Sequence, residues 1–156
     1  MSTSNQQPTH PHSRLQMSVS DLKRQWGLTF YVRSDGTDMY IFEDTRSDTI
    51  NAWSQIAIQR DLAAAADNRH MVCLYDLRGC SVSPYAVLQG HETIQQTPPN
   101  VRQSIAVLID DNGILRAMQS IIRRLTKPNL QQTILLFTDP ANAELWLNQR
   151  RIEMDS

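Results

Sequence analysis

The chain has 156 residues, 40% of them apolar, and a formal net charge of −1, which fits one globular domain with a proper hydrophobic core. This charge gives no electrostatic basis for binding DNA or RNA, which usually requires a basic excess on one face. No apolar stretch approaches the roughly 20 residues of a membrane-spanning helix. The polar N-terminus also lacks the apolar core of a signal peptide, so we expect a cytoplasmic protein.

The N-terminal part of the chain predicts a polar tail followed by a β-hairpin. Residues 1–14 are almost entirely polar, and such a segment cannot bury enough apolar surface to become ordered. We therefore place a flexible tail at 1–14 and a single domain at 15–156. Leu28–Arg33 and Met39–Phe42 are rich in aromatic and β-branched residues. The Asp35-Gly36 pair between them is a strong hairpin-turn signal.

Helices and strands are predicted to alternate after the hairpin. The predicted helices are Asp48–Ala66, capped by Ser47, then Pro84–Gln96, capped by Ser83, then Gly113–Leu125 and Pro140–Arg150. Continuous apolar runs, typical of strands covered on both faces, lie at Met71–Tyr75, Ile105–Ile109 and Thr133–Phe137. The order ββαβαβαβα predicts the α/β class, with a mainly parallel sheet and an N-terminal antiparallel hairpin.

Apolar residues at helical spacing define the predicted core. Leu62 belongs to the apolar stripe of the first helix. The last helix is expected to pack through Ala143, Leu145, Trp146 and Leu147. His70 precedes a strand, and we expect it to face solvent in a loop.

Known catalytic and cofactor motifs are absent from the sequence. It contains no P-loop, GxGxxG, HExxH, EF-hand, CxxC or GxSxG pattern and only five glycines, so it predicts neither a metal nor a cofactor. Cys73 and Cys80 are predicted to remain reduced thiols. Cys80 would be a nucleophile only if His91 lowered its pKa, and nothing in the sequence brings the two together.

Polar residues follow the predicted strands, at the edge where open α/β sheets usually bind ligands. Asp76 and Arg78 follow one strand, and Asp110 and Asp111 follow the next. Asp76 and Asp110 could approach each other and hold Mg²⁺, which prefers oxygen ligands. The alternative is that these carboxylates cap helices or tie down loops.

Three segments are similar to elements of one protein family. Tyr75–Gly79, which closes a buried strand, resembles the strand-Asp-Leu-x-Gly element of STAS domains, the SpoIIAA-like fold of bacterial anti-sigma factor antagonists. Phe137–Leu147 looks like the closing strand and helix of that family. Ile105–Leu125 is similar to its strand, Asp-containing loop and arginine-dotted helix. The resemblance covers roughly residues 28–150 and implies a SpoIIAA-like (STAS) fold.

The resemblance implies a non-enzymatic regulatory or ligand-binding domain, whose partner is a protein or an apolar, lipid-like molecule. An anti-sigma factor antagonist acting by partner switching is one alternative, and a small enzyme using Asp76 or Cys80 is another. Whether the chain forms a homodimer stays open. The candidate binding residues are Asp76, Arg78, Ser81, Ser83, Tyr85, Asp110 and Asp111.

One departure from the family pattern bears on regulation. In phosphorylated antagonists a serine follows the Asp-Leu-x-Gly element at the start of a helix. Here the corresponding position falls on or near Tyr85, and the neighbouring glycine is missing. The resemblance therefore favours the branch related to lipid-carrying SEC14 domains, which does not require that serine.

Overall fold

The computed structural model describes residues 23–111, 119, 123 and 131–155. The strands in this part are β1 (Lys23–Gln25), β2 (Leu28–Val32), β3 (Asp38–Phe42), β4 (Met71–Asp76), β5 (Gln103–Leu108) and β6 (Gln132–Phe137). The helices are α1 (Ser47–Asp67), α2 (Pro84–Gln95) and α3 (Pro140–Asp155). The predicted tail at 1–14 and the predicted helix Gly113–Leu125 lie outside the described residues.

The strands form one six-stranded mixed sheet in the order β1-β2-β3-β4-β5-β6. β1, β2 and β3 pair antiparallel, and β3 to β6 pair parallel. This confirms the α/β class and the N-terminal antiparallel hairpin. The predicted order omitted β1, because Lys23–Gln25 is short and polar and carries no strand pattern.

The hairpin turn forms as its Asp-Gly pair predicts. Asp35 accepts a hydrogen bond from the backbone N–H of Thr37 at 2.9 Å, and Gly36 has a φ of 86°. That left-handed conformation suits glycine, which has no Cβ to clash. The buried Arg33 at the end of the first arm then binds Glu144 of α3 through two hydrogen bonds of 2.5 and 3.0 Å. The hairpin is thus held against the last helix.

The boundaries and burial of α1 differ in two ways from the prediction. The N-cap residue is Arg46, which makes no side-chain capping bond, so the prediction of Ser47 as the cap is wrong. Leu62 is 57% exposed, because it lies off the buried face that includes Ile50, Trp53 and Ala57. The helix ends at Asp67, and the following Asn68 has a left-handed φ of 50°, as in a common helix-terminating turn.

The two faces of the sheet carry different helices. α1 packs on one face through Ile50, Trp53 and Ile56, and α2 contacts α1 on that same face. α3 packs on the other face through Ala143 and Leu147. Successive strand residues alternate between the faces, so β4 and β5 supply apolar side chains to both.

Two predictions about side-chain burial near α3 are wrong. Leu145 is 69% exposed, whereas Leu147 is fully buried and Trp146 is partly buried against Phe137 with ring centroids 5.7 Å apart. The side chain of His70 is only 2% exposed. Its Nε2 lies 2.9 Å from the Ser104 hydroxyl, and burial lowers the pKa of the ring. The His70 side chain is therefore buried, and it contacts Ser104 of β5 and lies 3.8 Å from Asp155 at the end of α3.

Candidate functional site

The loop after β4 is fixed by an ion pair inside the predicted site. Asp76 is 2% exposed, and its carboxylate accepts hydrogen bonds from Arg78 Nε at 3.0 Å and Nη2 at 2.8 Å. The backbone N–H of Arg78 also donates to Asp76, at 3.1 Å. Asp76 thus faces the guanidinium of its own loop, which favours the loop-fixing alternative over a metal-binding one.

The carboxylates after β5 do not complete a metal site in the described part of the chain. Asp110 accepts a hydrogen bond from the backbone N–H of Gly79 at 2.6 Å, so it ties the two strand-end loops together. Asp111 is exposed. Among the residues that the structure describes, no group of three or more His, Cys, Asp or Glu side chains could hold a metal ion.

The predicted hydroxyl residues lie around a surface depression beside α2, formed by the loops after β3 and β4. Ser83 caps α2 as predicted: its Oγ accepts from the Ala86 N–H at 3.1 Å and donates to the Thr45 carbonyl at 2.8 Å. The Ser81 carbonyl accepts from the Thr45 hydroxyl at 2.5 Å. The Tyr85 hydroxyl donates to the Asn51 side chain on α1. The Ser83 hydroxyl is therefore engaged in hydrogen bonds that stabilise the first turn of α2.

Cys80 is poorly suited to act as a nucleophile. Its thiol lies 3.3 Å from the Phe42 carbonyl oxygen, and burial together with nearby carboxylates raises the pKa of the thiol to about 11. A reactive cysteine needs the opposite shift. His91, the candidate partner of Cys80, instead lies beside Gln95 on α2, with 3.4 Å between their side-chain nitrogens.

A cavity that the sequence did not predict lies between the sheet and helices α1 and α2. Its volume is about 160 Å³. The sheet contributes Phe42, Tyr75, Ile105, Val107 and Ile134 to its wall, and the helices contribute Ile50, Trp53, Ala57, Ala86, Val87, Gly90 and Ile94. The wall is therefore predominantly apolar, as in most small-molecule sites.

One end of this cavity is polar and deeply buried. Asp61 accepts a hydrogen bond from the Thr97 hydroxyl at 3.1 Å and another from Gln103 Nε2. Gln132 Nε2 in turn donates to Gln103 Oε1, which links β6 to β5 and β5 to α1. The exposed fractions of Asp61, Gln103, Thr97 and Gln132 are 4%, 4%, 6% and 7%. We call these four residues the polar end of the cavity.

Burial dominates the electrostatics of the polar end. It raises the pKa of Asp61 to about 6, against hydrogen bonds from Thr97 and Gln103 that lower the pKa. The charge on Asp38 raises it further. With a pKa of about 6, Asp61 is mostly ionised at neutral pH, where its buried charge faces only the neutral Thr97 and Gln103 side chains among the groups that donate to it, and it becomes protonated at mildly acidic pH.

The polar end lies away from the site predicted at the strand ends. Gln103 and Gln132 are the first residues of β5 and β6, whereas Asp76 ends β4. The sequence does contain a signal that could have identified Asp61. Trp53, Ala57 and Asp61 are spaced four residues apart on α1, and an acidic residue in such an apolar stripe is unusual. The two glutamines begin apolar runs at paired positions of the sheet, a pairing visible only in the structure.

Comparison of the chain with protein-family models, curated proteins and solved structures found no match. In the described ranges, no helix has both the length and the apolar character needed to cross a membrane. The candidate site is therefore defined by its own geometry: an apolar cavity with a buried carboxylate and two glutamines at one end.

Proposed function

We propose that the chain is a non-enzymatic ligand-binding domain of SpoIIAA-like type, which regulates a partner by holding a small apolar molecule in the cavity under α1 and α2. The resemblance of Tyr75–Gly79 and Phe137–Leu147 to elements of that family supports this type. The two residues of the enzyme alternative are engaged in structural bonds, Asp76 with Arg78 and Cys80 with the Phe42 carbonyl oxygen. The function therefore rests on binding.

The observation that carries this proposal is the cavity itself. About 160 Å³ of open space with a predominantly apolar wall adjoins the core, and small-molecule sites are mostly apolar clefts or cavities. An apolar cavity of roughly this size in a protein stays dry and takes up benzene. A compact hydrocarbon is thus a suitable occupant.

Helix α2 offers a route from ligand binding to a partner. Ala86 and Gly90 face the cavity, whereas Tyr85 and Leu88 are 36% and 57% exposed on the same helix. A ligand that pushes on the inner side of α2 would shift these exposed side chains. This gives the domain a regulatory output without a chemical step.

Partner switching by an anti-sigma factor antagonist is a second candidate, favoured by those exposed side chains of α2. The residues near the family's phosphorylation position argue for a switch other than serine phosphorylation. Ser83 is bonded through its hydroxyl in both directions, to Ala86 and Thr45. The Tyr85 hydroxyl is bonded to Asn51. We therefore place the switch in the cavity.

Filling the cavity tests the proposal. A Cβ added to Gly90 would meet no heavy atom within 4 Å, and Gly90 lines the cavity, so we expect the longer side chain of Gly90→Leu to occupy part of the open space. We expect benzene to bind the wild-type chain and to shift the Trp53 indole N–H resonance in NMR spectra. Gly90→Leu should weaken benzene binding at least about tenfold while retaining a cooperative unfolding transition.

Gly90→Ala is the matched control, because it changes the backbone preference in the same way but adds only one methyl group. It should keep benzene binding within about threefold of wild type, a difference below about 1 kcal/mol. A wild-type chain that shows no Trp53 shift with saturating benzene would contradict the proposed function. So would a Gly90→Leu chain that binds benzene as well as Gly90→Ala does.

A further inference from the structure

Among the residues that the structure describes, no cation balances the carboxylate at the polar end of the cavity. Asp61 is 4% exposed, and its two oxygens accept from Thr97 and Gln103, both neutral side chains. The neighbouring Arg60 binds Asp38 instead, through two hydrogen bonds of 2.9 Å. No basic side chain in the described ranges forms an ion pair with Asp61. Buried carboxylates are normally paired, because the charge loses its hydration on burial.

The same end of the cavity also holds an acceptor to which no described residue donates a hydrogen bond. The Asp61 carboxylate can only accept, so Gln103 must turn its NH₂ group towards it and its Oε1 towards Gln132. Gln132 then donates to that oxygen, and its own Oε1 is left without a hydrogen-bond partner at 7% exposure. Asp61 and Gln132 both line the cavity.

The opposite part of the cavity is aromatic. Trp53 and Tyr75 meet edge to face with centroids 5.9 Å apart, and Phe42 lies 6.3 Å from Tyr75. Trp53 precedes Asp61 by about two turns of α1, or about 12 Å along the helix axis at 1.5 Å per residue. The cavity therefore has an apolar, aromatic part and an acceptor-rich end.

We propose that the ligand is a small amine with a compact hydrocarbon body, whose ammonium group binds Asp61 and Gln132 and whose body extends from there towards the aromatic part of the cavity. This inference rests on the proposed function and names the chemical class of its ligand. An ammonium group carries three donors and no acceptor, which matches the unbalanced carboxylate and the free carbonyl. Since Asp61 is already buried without the ligand, binding removes hydration mainly from the amine.

The size of the cavity limits the body of the amine. Its volume of about 160 Å³ is close to the roughly 150 Å³ of a protein cavity that holds benzene. The class is therefore short alkyl and small aromatic amines rather than long-chain lipids.

Two probes of equal shape separate charge recognition from filling of the cavity. The full chain is titrated with n-butylamine, which is cationic at neutral pH, and with 1-butanol, which is neutral, and the Trp53 indole N–H is followed by NMR. We expect n-butylamine to bind at least about tenfold more tightly, as for other hydrogen bonds between charged groups. Its affinity should fall at mildly acidic pH, where Asp61 is protonated, and that of 1-butanol should not.

Asp61→Asn is the decisive variant, because it keeps the size and the acceptor oxygen for Gln103 but removes the charge. It should lose at least about tenfold in affinity for n-butylamine and change by less than about threefold for 1-butanol. Its thermal unfolding transition reports whether it folds. Equal affinities of the two probes for wild type, or amine binding unchanged in Asp61→Asn, would overturn the inference, while benzene binding would still support the proposed function. Failure of benzene and both probes to bind would contradict the proposed function itself.

Discussion

The two faces of the sheet draw on the same strands but are filled differently. On the α3 face, Leu74, Leu108 and Leu147 are 0% exposed and belong to one apolar cluster. On the face under α1 and α2, alternating residues of those strands line a cavity that ends at Asp61 and Gln103. One face is packed as a protein interior usually is, and the other keeps open space and buried polar groups.

This difference is the one expected between a face that stabilises the fold and a face that binds a ligand. Open space forfeits the van der Waals contacts of its lining, and a buried carboxylate opposes folding unless it is paired. Sites for small molecules commonly carry such local costs in stability. The experiments below therefore compare substitutions on the two faces.

The largest effect is expected on the α3 face. Leu147→Ala removes a fully buried side chain from the cluster with Leu74 and Leu108, and it should lower the free energy of unfolding by about 2–5 kcal/mol. Urea unfolding followed by circular dichroism measures the change. Leu145→Ala on the same helix is the control: with 69% of Leu145 exposed, its effect should stay within about 0.5 kcal/mol. Equal effects of the two substitutions would contradict the packing described for α3.

The local signals in the sequence sufficed to predict most of the elements. Asp35-Gly36 predicted the hairpin turn, and Ser83-Pro84 predicted the start of α2, because each signal depends on neighbouring residues alone. Local signals of this kind could not show which of Leu145 and Leu147 is buried. It depends on how α3 is rotated against β5, which is set by contacts between distant parts of the chain.

The cavity could not be predicted for a related reason. Asp61, Gln103 and Gln132 are far apart in sequence, and only the parallel pairing of β5 with β6 brings the two glutamines together. The open space arises where Gly90 and small side chains on the helices face the sheet. Sequence reasoning instead placed the site at the strand ends, where Asp76 and Asp110 have structural bonds.

The next largest effect is expected at the polar end of the cavity. Burial raises the pKa of Asp61 to about 6 in the folded protein, whereas an Asp in an unfolded chain titrates near pH 4. The folded protein thus binds this proton more tightly, and the Asp61 contribution to stability is present below about pH 4 and lost as the pH rises through about 6. At pH 8, Asp61→Asn should therefore raise the free energy of unfolding by about 1–3 kcal/mol relative to wild type, since one pKa unit corresponds to about 1.4 kcal/mol.

The pH dependence distinguishes this effect from a general change in packing. The advantage of Asp61→Asn should shrink to less than about 0.5 kcal/mol near pH 4, where both carboxyl and amide are neutral. Denaturant unfolding at several pH values provides the measurement. A constant difference between wild type and variant across this range would show that Asp61 keeps an ordinary pKa and that the polar end is not electrostatically unbalanced.

A smaller effect is expected where α2 begins over the cavity. Ser83→Ala removes the Oγ that accepts from the Ala86 N–H and donates to the Thr45 carbonyl, and it should cost about 1 kcal/mol, as the loss of an N-cap usually does. Ser81→Ala in the preceding loop is the control, because the bond from Thr45 to Ser81 uses the backbone carbonyl. Thermal unfolding of both variants gives the comparison. A Ser81→Ala change as large as that of Ser83→Ala would mean that the loop, rather than the cap, holds the helix.

The smallest expected effect has the opposite sign and tests whether the space under α2 is open. A glycine inside a helix is less favourable than alanine by about 0.5–1 kcal/mol, because the unfolded glycine has more conformations to lose. Gly90 lies inside α2, and a Cβ there would meet nothing within 4 Å. Gly90→Ala should therefore raise the free energy of unfolding by about 0.5–1 kcal/mol in urea titrations. Gly36 has equally open surroundings but a φ of 86°, so Gly36→Ala should destabilise the protein through its backbone. Because space is the same at both positions, a loss of stability in Gly90→Ala would mean that α2 lies closer to the sheet than the cavity requires.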